Sequence, residues 1–382
     1  MFFSIIIPVF QTPAILQLFL NSLSETLEYY AQIIFINDGS GDKINAMLRN
    51  FSEQQSRCDI TIIEHSFSYG CAKSINEALT KVSPSCEAVI FMDSDLILAS
   101  RWQKKLSEDL QKNSDIGIVG CMLLYPQTGG IQCCGITYQD KTGRHLYLNS
   151  KPNMIHAKPL QKVQCTIFAF CAIRYEAIKQ TGFLNEDFYN GYEDWDYQFR
   201  VRKLGYSVAI DTEIMHYHWE KSNGAHRNFN RKGNIGRFWG IHSSAVKDDL
   251  CKYIRNELNA ISFYVQDEYI LIDLCEARTE AISISQYLKK VLSLNIIEYM
   301  DLSPLCKSNI RIWLPEILNS SFHMKETTLI LLCDQFVRLL DNNYWWDLRK
   351  NYKDNDIIID LNGNVLKFSD LAKTFWPGTK IR

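Results

Sequence analysis

Ala88-Val-Ile-Phe-Met-Asp-Ser-Asp95 is the stretch from which the fold of this chain is read. Four apolar residues and a methionine run into two carboxylates separated by one serine. An apolar run of this length reads as a buried strand. Strand alternation would point Asp93 and Asp95 the same way at its end. Like charges aimed together repel unless a positive group lies between them. A hard divalent cation carrying a diphosphate meets that need. The alternative is a solvated turn or a helix N-cap, where Asp and Ser are favoured.

The residues before this stretch decide its setting. Residues 2–7 read as a strand ending at Pro8. Thr12-Pro13 then looks like an N-cap with proline at the first helical position, opening a helix that buries Ile15, Leu16, Phe19, Leu20, Leu23 and Leu27. Gln32–Ser40 is a strand ending in Asn37-Asp-Gly-Ser40, and a polar helical stretch follows. Ile60–Glu64 is a third strand, and Gly70–Lys81 a helix with Ala72, Ile75, Ala78 and Leu79 near helical spacing. Four strands alternate with three helices up to Asp95, the pattern of a parallel α/β sheet. Ligands bind such sheets outside the carboxyl ends of the strands, where Pro8, Asp38 and the Asp93/Asp95 pair all fall.

Composition bounds the alternatives. The 382 residues suffice for two domains; 46% are apolar, and a formal net charge of -2 gives no reason to expect nucleic acid as a partner. No apolar run reaches the roughly 18 residues of a spanning helix. The start, Met1–Pro8, reads as a first strand and not as a signal peptide. The 12 cysteines are scattered, without a Cys-x-x-Cys pair, and many lie in apolar runs. They read as buried reduced thiols.

Beyond Asp95, residues 102–112 read as a helix and Ile116–Gly120 as a strand. Thr128–Gly135 is Gly-rich but lacks the Lys-Ser/Thr of a phosphate loop. Residues 139–161 are polar and read as a mobile excursion. There Lys141, Arg144 and Lys151 are solvated, or cover an acceptor. Apolar character returns at Cys165–Ile173, and a helix over 174–180 stops at Gly182. Gly191–Gly205 looks like one helix, with acids at its start, bases at its end and glycine at its C-cap. Trp195 and Phe199 can share its inward face. Asp194 and Asp196 stand about 200° apart around the axis, so at most one faces a given site. Tyr206–Ile210 is a strand leading into Met215–Ser222. From about residue 241 the pattern changes. Ala281–Leu294 and Met324–Leu340 read as amphipathic helices, 356–368 as a hairpin around Asn362-Gly363, and Tyr344–Trp346 and Phe375–Pro377 as aromatic clusters.

With these residues in hand, the chain resembles the inverting GT-A glycosyltransferases of family 2 over about residues 1–225. Ile5-Ile-Ile-Pro-Val-Phe10 looks like the family's opening strand. Asn37-Asp-Gly-Ser40 is similar to its Asp-Asp-Gly-Ser, with Asn37 replacing the first aspartate. Gly70-x-Ala72-x-x-x-Asn76 and Asp93-Ser-Asp95 fit two further elements, and Gly129–Gly135 looks like a Gly-x-Ile-Gln-x-x-Gly segment of some members. The run from Thr166 to His216, with Gly182-Phe183, Glu193-Asp194-x-Asp196 and Arg200, matches the Glu-Asp block closely.

The resemblance implies a mostly parallel α/β catalytic domain over 1–240 and, from 241 to 382, a mainly helical extension with a hairpin. It implies that Pro8, Asp38 and Asn76 bind the nucleotide, with Asp38 on the base or ribose. Asp93 and Asp95 would hold Mn²⁺ or Mg²⁺ with the donor diphosphate, and His216 or His218 would complete the metal shell. Asp194 would be the general base and Glu193 would orient it or the acceptor. The expected partners are a nucleoside-diphosphate sugar and a glycan or lipid-linked acceptor. The expected setting is cytoplasmic polysaccharide or glycoconjugate assembly, with peripheral membrane contact or self-association through the C-terminal region as further options. Two rivals remain. A sugar-phosphate nucleotidyltransferase usually carries a Gly-rich basic loop where this chain has Pro8–Pro13. An inactive binding module would not need Asp93, Asp95 and Asp194 intact.

Overall fold

The computed structural model describes residues 1–139, 141–220, 230–260, 269–273, 284, 288, 296–301, 328–333 and 356–370. The chain divides into two compact units. The first is Met1–Ile136 with Lys158–Val246, the second Thr137–Ala157 with Lys247–Arg382.

The first unit begins with β1 (Phe3–Val9), α1 (Pro13–Thr26), β2 (Ala31–Asp38), α2 (Asp42–Gln54), β3 (Cys58–His65), α3 (Cys71–Leu79) and β4 (Ala88–Met92). β1 and β2 are buried on almost every residue, which explains their continuous apolar runs. α1 starts at Pro13 as expected. However, Thr12 is left-handed (φ 55) and its hydroxyl caps nothing, so the helix start rests on proline's fixed φ alone. Leu16, Phe19, Leu20 and Leu23 are buried, as is Leu27 just past the helix end. Ile15 is only half-buried.

β1 pairs in parallel with both β2 and β4, and β2 with β3. The chain thus runs outward from β1 to β3, then returns to the other side of β1. That reversal leaves a crevice at the carboxyl ends of β1 and β4. Pro8 and Asp93 flank it.

The expected strand through Asp95 stops early. β4 ends at Met92, and Asp93–Asp95 form a turn into β5 (Leu96–Ile97). The Asp93 N–H donates to the carbonyl of Ala169, just before Phe170 pairs with Met92. The two aspartates therefore converge through a turn and not through strand alternation.

After α4 (Trp102–Lys112) come β6 (Ile116–Leu124) and β7 (Ile131–Cys133). Next in sequence are β8 (Ile136–Gln139) and β9 (Thr142–His145), which pair with each other, and β10 (Leu160–Val163). Then follow β11 (Phe170–Arg174), α5 (Tyr175–Thr181), α6 (Glu193–Lys203), β12 (Ser207–His218) and α7 (Arg231–His242). The main sheet runs β10-β12-β6-β11-β4-β1-β2-β3, with β5 on β12 and β7 on β6. β11 is antiparallel to both neighbours, but β12 is parallel to β6. The result is a mostly parallel sheet flanked by helices, the α/β architecture expected. β12 is one strand where two segments were expected, because an irregularity between Asp211 and Met215 breaks its pattern.

The second unit takes in the excursion after β7. That excursion is not a solvated loop: Tyr138, Leu146 and Tyr147 are fully buried. Asp249, just before α8 (Leu250–Ala260), accepts from the Thr137 hydroxyl and the Tyr138 N–H. A five-stranded sheet follows, formed by β13 (Tyr269–Asp273), β14 (Ile296–Asp301), β15 (Thr328–Cys333), β16 (Ile357–Asp360) and β17 (Val365–Lys367) in the order β14-β13-β15-β16-β17. The hairpin around Asn362-Gly363 is present, with Gly363 at φ 86. Met324–Leu340, expected as a helix, contains β15: its apolar run Thr328–Cys333 also suits a buried parallel strand. Of the helix expected over Ala281–Leu294, Ile284 and Leu288 are described, both helical and buried. The aromatic clusters at 344–346 and 375–377 lie outside the described residues. Among the described residues, no helix is long and apolar enough to cross a membrane.

One buried pair in the first unit makes stability depend on pH. The carboxyl of Asp109 on α4 faces Asp211 on β12, and Lys105 lies 3.7 Å from Asp211. Burial raises the Asp109 pKa and the Asp211 carboxylate adds to it. Lys105 offsets part of that rise, and the value reaches about 7. An unfolded aspartate titrates near pH 4, at about 3.9. Between these values the folded state holds the extra proton, so this group's contribution is full below about pH 4 and lost as pH rises through about 7. Asp109→Asn should flatten the fall in melting temperature between pH 5 and 8 and raise it at pH 8. Parallel melting curves for both proteins over that range would contradict this.

Candidate active site

Asp93, Asp95 and His218 each offer one ligand atom, and the three atoms lie within 4.8 Å of one another. The His218 Nε2 stands 3.1 Å from Asp95 Oδ1 and 3.6 Å from Asp93 Oδ2. Sheet register explains the meeting. β5 follows Asp95 directly and pairs antiparallel with the end of β12, so His218 lies opposite Leu96. The Trp219 N–H then donates to the Asp95 carbonyl at 3.1 Å. His218 and Asp95 are buried, whereas the Asp93 side chain is 42% exposed and opens the cluster to solvent. Two carboxylates and an imidazole suit a divalent cation, and the nitrogen suits Mn²⁺ better than Mg²⁺.

His216, on the same face of β12, is not part of this group. Its Nδ1 accepts the Ala99 N–H at 3.0 Å, and its ring packs edge-on against Phe170. Burial lowers its pKa to about 3, so the ring is neutral. Of the two candidate histidines, the structure brings His218 to the aspartates.

Asp38, at the end of β2, is enclosed. Its carboxylate accepts from Ser68 Oγ (2.6 Å), His65 Nδ1 (2.8 Å), Tyr69 N (2.8 Å), Ser74 Oγ (3.0 Å) and Gly70 N (3.1 Å). Burial alone would raise its pKa, but the bonds from Ser68, His65, Tyr69 and Ser74 outweigh it and hold it below the usual value. Both oxygens are thereby used to pin the β3–α3 loop. Gly39 beside it is at φ +77, and an added Cβ would stand 2.5 Å from the Ser68 backbone nitrogen. Asn37 is also spent locally, on Ser40, Gly41 and Asn45. Asn76 binds the backbone of Leu184 from both ends of its amide and reaches Glu186. Asp38 and Asn76, the residues expected on the nucleotide, both hold neighbouring backbone in this structure. Pro8 lies half-buried at the end of β1.

Glu193 and Asp194 open α6. Three successive residues before it have positive φ: Asn190 (49), Gly191 (148) and Tyr192 (72). Non-glycine residues hold such angles only where the surroundings over-determine them. Here Asn190 Oδ1 accepts the Cys71 N–H, Asn234 donates to the carbonyls of Tyr189 and Gly191, and the Tyr192 ring packs on Trp195 and Phe238. Gly70 must be glycine, since a Cβ there would meet the Tyr189 ring at 2.9 Å. Glu193 accepts the Gly191 N–H and bonds the Cys71 thiol. Burial raises the Cys71 pKa, and Glu193, Asp93 and Asp194 raise it further. Cys171 is likewise raised by burial, then by Asp194 and Asp93. Asp93 and Asp194 thus act on the same two buried thiols. Asp196 turns the other way, to Arg200 (2.9 Å) and His242 (2.8 Å). The angular separation from Asp194 requires this. Trp195 and Phe199 both pack on Phe238, Phe199 buried and Trp195 half-buried.

Sequence reasoning missed Cys71, the unspecified position of its own motif, and Gln198, whose buried amide binds both backbone groups of Thr166 and the Asp194 carbonyl. It noted Gln132 without a role; the Gln132 Oε1 lies 2.6 Å from His218 Nδ1.

Residues 4–182 match the model of glycosyl transferase family 2. No curated protein matches the chain. Among solved structures it is similar to a mannosyltransferase from Pyrobaculum calidifontis in complex with GDP-Man and Mn²⁺, at 14% identity and TM-score 0.47, covering 64% of this chain and 65% of that one. It is also similar to GalNAc-T7 with UDP, GalNAc and Mn²⁺, at 14% identity and TM-score 0.48, covering 68% and 52%. A third similarity is to S. aureus TarS, at 14% identity and TM-score 0.45, covering 69% and 44%. The chain spans less than two thirds of each of these three proteins.

The enclosure of Asp38 can be tested without any ligand. Asp38→Asn leaves five donors facing an amide that can satisfy only some of them, and should cost about 2–4 kcal/mol of stability. Urea unfolding reads this directly. An unchanged midpoint would mean that Asp38 does not pin the loop.

Proposed function

We propose that the chain, whose residues 4–182 match the model of glycosyl transferase family 2, moves a hexose from a nucleoside-diphosphate donor to an acceptor hydroxyl, with inversion. The observation that carries this reading is the convergence of Asp93, Asp95 and His218 at the crevice between β1 and β4. Asp93, Asp95 and His218 would hold a divalent cation, Mn²⁺ by preference, which when bound offsets the charge growing on the departing diphosphate.

The remaining chemistry falls to the chain itself. Asp194 takes the acceptor proton as general base. A single base on the face opposite the leaving group gives one displacement and hence inversion. Glu193, held by Gly191 and Cys71, orients the acceptor beside it. Pro8 and the loop pinned by Asp38 form the nucleotide side of the pocket. The C-terminal region, with the excursion 137–157, serves acceptor or partner binding in polysaccharide or glycoconjugate assembly, a role that includes peripheral membrane contact or self-association.

Two variants separate these roles. Asp95→Ala should abolish Mn²⁺-dependent release of nucleoside diphosphate from a panel of UDP-, GDP- and dTDP-sugars. Equal release with and without EDTA would remove the metal from the scheme. Asp194→Asn should bind donor normally while turnover falls about 100- to 10,000-fold. Near-normal turnover would exclude Asp194 as the base.

A further inference from the structure

Gln132 is fully buried on β7, a three-residue strand set antiparallel to the end of β6. Its amide has one acceptor end and one donor end, and its neighbours decide which faces where. The Nε2 end lies 3.4 Å from both the His218 carbonyl and Glu220 Oε2. Both of those atoms only accept, so the amide nitrogen must face them. The Oε1 end is thereby turned to His218 Nδ1, at 2.6 Å. A carbonyl oxygen cannot donate, so Nδ1 carries the ring hydrogen. In the neutral ring, Nε2 is left with a bare lone pair, aimed at Asp93 and Asp95.

This arrangement distinguishes two uses of one histidine. With hydrogen on Nε2, His218 would donate to Asp95 and offer nothing to a cation. With hydrogen on Nδ1, Nε2 joins two carboxylate oxygens, and three electron-rich atoms within 4.8 Å favour a cation between them. We propose that Gln132 is a positioning residue that holds His218 in the Nδ1–H tautomer and so makes it a ligand for a divalent cation. The inference rests on the metal reading given above and adds the group that selects the ligand state. An apolar side chain of similar size would keep the packing and lose the selection.

The test is Mn²⁺ affinity of the purified full chain by calorimetry, with Asp95→Ala and His218→Ala as controls. Gln132→Leu should weaken Mn²⁺ binding about 10- to 100-fold. Unchanged affinity in Gln132→Leu overturns the inference when both controls lose binding. If the controls also bind like the original protein, the metal reading itself fails. Long-range proton–nitrogen NMR of the metal-free protein gives an answer even where a variant does not fold. The His218 signal, identified by its loss in His218→Ala, should show hydrogen on Nδ1, and hydrogen on Nε2 would overturn the inference.

Discussion

Asp93 and Asp95 face the His218 Nε2 at 3.6 and 3.1 Å, at the point where the sheet's strand order reverses. Several parts of the first unit exist to make that approach possible. β5 is only two residues long, yet its pairing with β12 brings the end of a distant strand beside the turn after β4. Carboxylates at such spacing repel in a partly buried site. The fold holds them together by sheet hydrogen bonds, so the site is formed before any ligand arrives. A cation that bridges the carboxylates removes the repulsion, which is why the arrangement favours one.

The walls of the site are held by groups that read, from sequence, as ligand contacts. Asp38 spends its carboxylate on the β3–α3 loop, and Asn76 spends its amide on the segment before α6. Asn190 ties the starts of α3 and α6 together, and the positive φ values at residues 190–192 set the angle at which α6 presents Glu193 and Asp194. Energy stored in that strained entry is offset by the packing of Tyr192, Trp195 and Phe199 on Phe238. Positioning of the acids therefore depends on a core that lies away from the crevice.

How much of this was legible in the sequence follows from what each signal reports. Apolar runs and their spacing located the strands and helices up to α4, because parallel strands buried on both faces carry no competing pattern. Motif order pointed to Asp93, Asp95 and the α6 acids, and the angular argument separated Asp196 from Asp194. Spacing to Ser222 favoured His218 over His216 only slightly, since both lie on one face of β12; the β5 register is what separates them. The loop and backbone contacts of Asp38 and Asn76 were not legible, since a carboxylate that holds a loop and one that holds a ligand have the same letter. The excursion after β7 looked solvated because its short apolar runs, such as Leu146-Tyr-Leu148, stand among polar residues. The segment Thr328–Cys333 was ambiguous for a different reason: a short apolar run fits a strand or a helix equally well.

The most direct test of the central claim is anomalous diffraction at the manganese edge from crystals of the full chain grown with Mn²⁺ and a nucleoside diphosphate. One strong peak is expected, bounded by Asp93, Asp95 and the Nε2 of His218, with the diphosphate against it in the crevice between β1 and β4. A diphosphate bound in that crevice with no peak, or a peak that leaves His218 uncoordinated, would contradict it.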